Sequence, residues 1–299
     1  MNASDHDPPT GPVPPVFIGG AGRSGTTLVV DMLGLHGQLS PIYETDFLLM
    51  VARPLFAGQD PGRTAAAIRK IMDDWTRPLP RRPHNKRAHE RYFHGPHHIL
   101  FDRAFALART ETLLDGLAGD PVAAFRAFVH DLFAEHCALD GKPRWINKTP
   151  VYVSNLPLLQ AVFPDLKFIH CLRDGRDVAC SVVTRPWGPN TFAEVAPWWS
   201  EIVRRGCRFG EEHPEAYREV RYEDLVVRPR EVLPGLQAWL GVPDETDAIL
   251  ARYRTSDGEP TLDPSVLARW RREVDPDEVA RFEAAAGDLL ARCGYPPES

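Results

Sequence analysis

The chain has 299 residues, with 35 lysine and arginine against 41 aspartate and glutamate, a formal net charge of −6, and 43% hydrophobic and 25% charged residues. That balance belongs to a soluble globular protein and excludes global disorder, and its mild acidity argues against a nucleic-acid partner, which calls for a basic surface. No apolar run reaches the roughly 18 residues of a membrane span, and residues 1–10 lack the basic and apolar stretches of a signal peptide, so no membrane partner and a cytoplasmic location are expected. The five cysteines form no C-x-x-C pair, which disfavours a disulfide framework or a structural zinc and reads as small core residues.

In chain order, residues 1–15 hold five prolines and read as a disordered leader, with a single domain over 16–299. Val16–Gly20 is a short apolar run ending in glycine, and Leu28–Leu33 has helical character, so strand, glycine loop and helix follow one another. Helices are predicted over 62–76, 98–118 and 121–138. Between the first two, Arg77 to Arg103 is a basic, histidine-rich insertion that reads as a solvated loop or helical hairpin, or else as a lid over an active site. Strands are predicted over 144–147, 166–172 and 217–221, and further helices over 151–163, from Asp174, and over 191–212, 229–240 and 276–291. A repeated β-α order predicts an α/β fold whose central, mainly parallel sheet is flanked by helices.

The loop Gly20-Ala21-Gly22-Arg23-Ser24-Gly25-Thr26-Thr27 lies between a strand and a helix N-terminus, where backbone N–H groups and the helix dipole attract an anion. This makes the three-layer fold P-loop-like. In the triphosphate-binding loop G-x-x-x-x-G-K-[ST] the lysine reaches the β- and γ-phosphates; here Thr26 takes its place. The charge has moved to Arg23, and Thr26 and Thr27 offer hydroxyls to a smaller phosphate-like group. A diverged P-loop kinase acting on a small molecule stays open as an alternative.

Phe17-Ile18-Gly19-Gly20 followed by Arg23-Ser24-Gly25-Thr26-Thr27-Leu28 resembles the 5′-phosphosulfate loop of sulfotransferases that use 3′-phosphoadenosine-5′-phosphosulfate (PAPS). Leu172-Arg173-Asp174-Gly175-Arg176-Asp177-Val178 with Ser181 resembles their 3′-phosphate signature. Tyr43-Glu44-Thr45, Asn147-Lys148-Thr149-Pro150 and Val220-Arg221-Tyr222-Glu223-Asp224-Leu225-Val226 agree, with a weaker match at Arg269-Trp270. Among branches, the pattern is most similar to tyrosylprotein sulfotransferases and their bacterial relatives. Gly22 and Gly175 stand where that branch tends to carry proline, and its animal members are membrane-anchored Golgi enzymes with disulfides.

The resemblance implies a donor with two anionic ends and hence two anion holders. Arg23, Ser24, Gly25, Thr26 and Thr27 fit the 5′ end; Arg173, leaving a strand, and Ser181, eight residues on, fit the 3′-phosphate, with Arg185 on the same helix face as a third contact. It also implies that Glu44 is the general base, that Tyr222 packs near the nucleotide and that Arg269 reaches its phosphates. Lys148 and Arg23 supply the cations for transfer, because positioning and charge stabilisation carry such a reaction and no metal is required. His170 reads as a core residue. The acceptor pocket is expected from Ser40–Pro54 and the 77–103 insertion, with Tyr92, Phe93 and Phe101 as aromatic surface. A small aromatic or partly apolar hydroxyl metabolite matches that lining; sulfation of a peptide tyrosine and a non-catalytic nucleotide-binding scaffold are the alternatives, and a homodimer is left open.

Overall fold

The computed structural model describes residues 13–58, 60–77, 100–254 and 262–296. Strands β1 (Val16–Gly20), β2 (Leu39–Tyr43), β3 (Arg144–Lys148), β4 (Lys167–Leu172) and β5 (Tyr217–Arg221) form one sheet in the order β2-β3-β1-β4-β5, with every pairing parallel. The described helices are α1 (Thr26–Leu33), α2 (Phe47–Phe56), α3 (Pro61–Thr76), α4 (Arg103–Gly116), α5 (Pro121–Asp140), α6 (Leu156–Val162) and α7 (Gly175–Val182). They continue with α8 (Phe192–Glu212), α9 (Tyr222–Val227), α10 (Pro229–Leu240), α11 (Thr246–Arg252), α12 (Trp270–Glu273) and α13 (Pro276–Arg292).

The sheet is covered on both faces, which is why its strands read as apolar runs rather than alternating ones. Along β1, Val16 and Ile18 pack with α1, α10 and α11, whereas Phe17 points to the opposite face among Trp145, Tyr152, Phe163 and Phe168, with α2 and α5 beyond. A third cluster joins α7, α8 and α13 around Trp199 and Phe282. In a parallel sheet all strand carboxyl ends open on one edge. β1 lies between β3 and β4 where the chain order reverses, the position at which open α/β sheets bind ligands.

Several expectations are corrected. Residues 39–43 are a strand and 47–56 a helix, so Ser40–Pro54 is no irregular stretch. The segment expected as one helix over 151–163 is a 3-10 turn, Pro150–Asn155, followed by α6. Helix α7 ends at Val182, which places Arg185 beyond it rather than on its face. Phe101 is buried against Phe47 and Phe133 and is core, not pocket lining. Pro14 and Pro15, expected within a disordered leader, are tied down, their carbonyls accepting from Arg144 and from the Lys167 N–H. Tyr92, Phe93 and most of the 77–103 insertion lie outside the described residues. All five cysteines are free; Cys137, Cys171 and Cys293 are buried, whereas Cys180 and Cys207 are only partly so.

Candidate active site

The first candidate anion holder follows β1. Arg23 (φ 72°) and Gly25 (φ 84°) both adopt left-handed backbone, which turns the chain sharply into α1. At Gly25 only glycine fits, because a Cβ would lie 2.3 Å from Cδ2 of Tyr222. Thr26 opens α1 and the first turn of that helix carries no acidic residue, so its positive dipole end is uncompensated. Ser24 is 1% exposed and its Oγ has no hydrogen-bond partner, an unusual state for a buried hydroxyl and one that a bound oxyanion would relieve.

The second candidate holder follows β4. Asp174 caps α7, accepting from the Arg176 N–H at 2.9 Å and gripping its guanidinium through both oxygens. Arg173 donates to the carbonyls of Arg23 (3.3 Å) and Val266 (3.1 Å), lies 4.3 Å from the Tyr222 ring centroid, and pairs with Asp177 at 3.6 Å. Its Nε is buried without a partner. Ser181 lies on α7 at 9% exposure. Asp177 also accepts from the N–H groups of Ala268 (2.8 Å) and Trp270 (3.3 Å), and so straps the Arg269 segment against the same junction. Ala268, like Arg23, has left-handed backbone, with φ 50°.

The two junctions therefore converge. Arg23 keeps solvent contact, yet the surrounding protein mass, and then the charges of Arg185, Arg173 and Arg269, hold its pKa below the usual arginine value. Cations that repel one another in this way are a site for a polyanion. Arg269 is paired with Glu273 at 2.7 Å, so it reaches a ligand only by exchanging that partner.

The third component lies across β1 on the neighbouring strands. Lys148 ends β3, is 2% exposed, and forms an ion pair with Glu44, which follows β2. Glu44 also has left-handed backbone, φ 49°, and its N–H donates to the Lys148 carbonyl at 2.7 Å. The following residue holds this turn: Thr45 N–H donates to Thr149 Oγ1 (3.0 Å), and Thr45 Oγ1 donates to Asn147 Oδ1 (2.8 Å). The Tyr152 hydroxyl lies 2.7 Å from Thr45 Oγ1 and 2.8 Å from Asn147 Oδ1. Arg23, Glu44 and Ala268 are the non-glycine residues with positive φ among those described, and all three lie in this region, where a packed surround sustains strained backbone.

The sequence-predicted site residues thus fall into two groups at one sheet edge. Arg23 to Thr27, Arg173, Arg185, Tyr222 and Arg269 gather at the β1 and β4 ends, with Ser181 further along α7, and Glu44 with Lys148 at the β2 and β3 ends. Sequence reasoning quoted Asp177, Thr45 and Asn147 only as parts of motifs, without a role, and missed Asp46 and Tyr152. Asp46 stands two residues from Glu44, and burial first, then Glu44 repulsion, raise its carboxyl pKa against the opposing pull of Lys148. Glu223 was likewise quoted without a role: it accepts from the Asp174 N–H (3.0 Å) and from the Tyr295 hydroxyl (2.7 Å), its pKa raised chiefly by burial. An acid four residues after Arg173 was the available signal for Asp177; nothing local pointed to Tyr295.

Comparison with known proteins bears on this geometry. The model of the Sulfotransferase family matches residues 14–247. Protein-tyrosine sulfotransferase 1 of Danio rerio is 24% identical over 310 residues, covering 96% of this chain and 74% of the relative. Among solved structures, the sulfotransferase domain from the Synechococcus PCC 7002 olefin synthase superposes with a TM-score of 0.55 at 24% identity, over 91% of this chain and 94% of that one. The sulfotransferase domain from the curacin biosynthetic pathway does so with a TM-score of 0.59 at 20% identity, over 96% and 100%.

Proposed function

Because the chain belongs to the sulfotransferase family, we propose that it transfers a sulfuryl group from PAPS to a phenolic or partly apolar hydroxyl of a small metabolite. The observation that carries the donor assignment is the convergence of Arg23, Arg173, Arg185 and Arg269, with Ser24 Oγ and Arg173 Nε buried and unpartnered beside them. The loop amides, Ser24, Thr26 and Thr27 hold the 5′ end; Arg173, Ser181 and Arg185 hold the 3′-phosphate; Tyr222 packs near the nucleotide. Thr26 in place of a loop lysine disfavours a nucleoside triphosphate.

In the transfer, Glu44 takes the acceptor proton as the hydroxyl oxygen bonds to sulfur and the bond from sulfur to the bridging phosphate oxygen breaks. The electron pair leaves on that phosphate, where Arg23 and Lys148 oppose the growing negative charge. Lys148 has a second duty: its ion pair fixes the Glu44 carboxylate at the β3 end. Since the leaving phosphate is already stable, these side chains suffice without a metal.

The relative's name favours a second reading for the acceptor, a peptide tyrosine. The free thiols fit a reducing compartment, and we place the enzyme in the cytoplasm; no helix among the described residues is long and apolar enough to cross a membrane. The test is incubation with sulfur-labelled PAPS and parallel panels of small phenols, alcohols, sugars and tyrosine peptides. Labelling of small phenols well above peptides is expected; labelling of peptides alone replaces the small-metabolite reading, and labelling of nothing while the donor binds removes the catalytic one.

A further inference from the structure

A second cluster of reactive side chains lies apart from the transfer site, between β4, β5 and α8. His170 and Glu219 are paired positions on the adjacent strands, so their side chains share one face of the sheet. Helix α8 crosses that face at closest approach through Gly206, where a Cβ would meet the His170 ring at 2.3 Å. Glycine at that position lets the helix settle onto the imidazole and brings the next residue, Cys207, beside it. A ring nitrogen of His170, the Cys207 sulfur and a carboxylate oxygen of Glu219 all lie within 4.8 Å of one another. Cys293, just past α13, is a neighbour of the Cys207 thiol.

One hydrogen bond orients the ring. The Tyr217 hydroxyl oxygen lies 2.6 Å from His170 Nδ1. When Nδ1 donates its proton to that hydroxyl, Nε2 keeps its lone pair. His170 is fully buried and Nε2 has no partner. An oriented, proton-free imidazole nitrogen held through its other nitrogen is the usual preparation of a metal ligand.

We propose that this cluster is a binding site for a zinc-class divalent ion, ligated by His170 Nε2, Cys207 Sγ and a Glu219 oxygen, with the fourth position left to a non-protein ligand. Bonds of about 2.0–2.3 Å in tetrahedral geometry need donor atoms under about 4 Å apart, which a modest closing of the present spacing supplies. Thiolate with imidazole selects zinc over magnesium or calcium. The ion would staple the edge strand β5 and its neighbour β4 to α8. The cysteine spacing alone argues against a zinc site, because these ligands lie on three separate elements.

The reduced, chelator-stripped full chain is titrated with Co2+ and then Zn2+, reading metal content after dialysis and the thiolate-to-cobalt absorption band. One equivalent should bind with that band present and be displaced by Zn2+. Cys207→Ser should lose the band, and Glu219→Gln, at an exposed position where folding is safe, should weaken binding at least about 10-fold while adenosine 3′,5′-bisphosphate still stabilises the protein as before. Absence of stoichiometric uptake by the reduced chain, or an unchanged band in Cys207→Ser, overturns the assignment. So does a Cys207–Cys293 disulfide whose reduction restores no metal binding.

Discussion

The Arg173 guanidinium lies over the Tyr222 ring, 4.3 Å from its centroid, and the same ring blocks any side chain at Gly25. One aromatic residue from the start of α9 thus gauges the gap between the glycine loop and the β4 junction. Arg173→Ala should shrink the difference between stabilisation by adenosine 3′,5′-bisphosphate and by adenosine 5′-monophosphate, because ligand stabilisation follows affinity for the folded state. Thermal shift measures it; an undiminished difference in Arg173→Ala moves the 3′-phosphate elsewhere. Gly25→Ala should abolish stabilisation by both nucleotides, since its Cβ would displace Tyr222.

Turnover should respond differently to the two members of the ion pair. Lys148→Ala removes charge stabilisation of the kind worth about 3–4 kcal/mol in oxyanion sites, a fall in kcat of two to three orders of magnitude, and it also frees the base. Glu44→Gln should lower kcat roughly 10²-fold while leaving bisphosphate binding near the wild-type value. Steady-state rates with labelled donor decide; wild-type turnover by Glu44→Gln assigns the base to another residue, with Asp46 first in line.

Tyr152→Phe isolates positioning from chemistry. The lost hydroxyl contacts Thr45 and Asn147 but not Glu44 itself, and leaving those buried groups short of a partner costs about 1–3 kcal/mol. Lower stability in urea is expected together with a fall in kcat that exceeds any change in nucleotide affinity. An unchanged kcat at reduced stability would make Tyr152 a core residue and nothing more.

Acid should destabilise the fold before it reaches the carboxylate range. Burial holds His130 and His136 below the usual histidine pKa, so below about pH 6.5 the unfolded chain binds protons that the folded chain refuses. Stability is then full above the unfolded pKa and is lost as pH falls below it. His130 packs on Trp145 and Phe163, which suits an apolar ring. His130→Phe should flatten the drop in urea midpoint between pH 7.5 and 5; an identical slope in the variant assigns the acid sensitivity elsewhere.

Much of the frame was readable because it rests on local pattern. Tyr217–Arg221 and Pro229–Leu240 fold with the boundaries their periodicity indicates, and the glycine loop lies between strand and helix as composition requires. β2 escaped because Pro41 argues against a strand; at the sheet edge its missing N–H faces no neighbour, so proline is tolerated there. Arg185 was misassigned to a helical face because helix α7 stops three residues earlier, ahead of Pro186. What no window could disclose were bonds across long separations, such as Asp177 to Ala268 and Glu223 to Tyr295.

Those same long-range bonds order the birth of the enzyme on the ribosome. A nascent chain emerges from its amino end and its parts fold as they become available, so β1, the glycine loop, β2, β3 and β4 are free to assemble while the last third is still being made. Asp177 meets its backbone partners only when Ala268 and Trp270 have emerged, and Glu223 meets Tyr295 later still. The Arg173 junction is finished last, and a chain stalled short of Ala268 would carry the loop and the Glu44–Lys148 pair with the strap across Arg173 still missing.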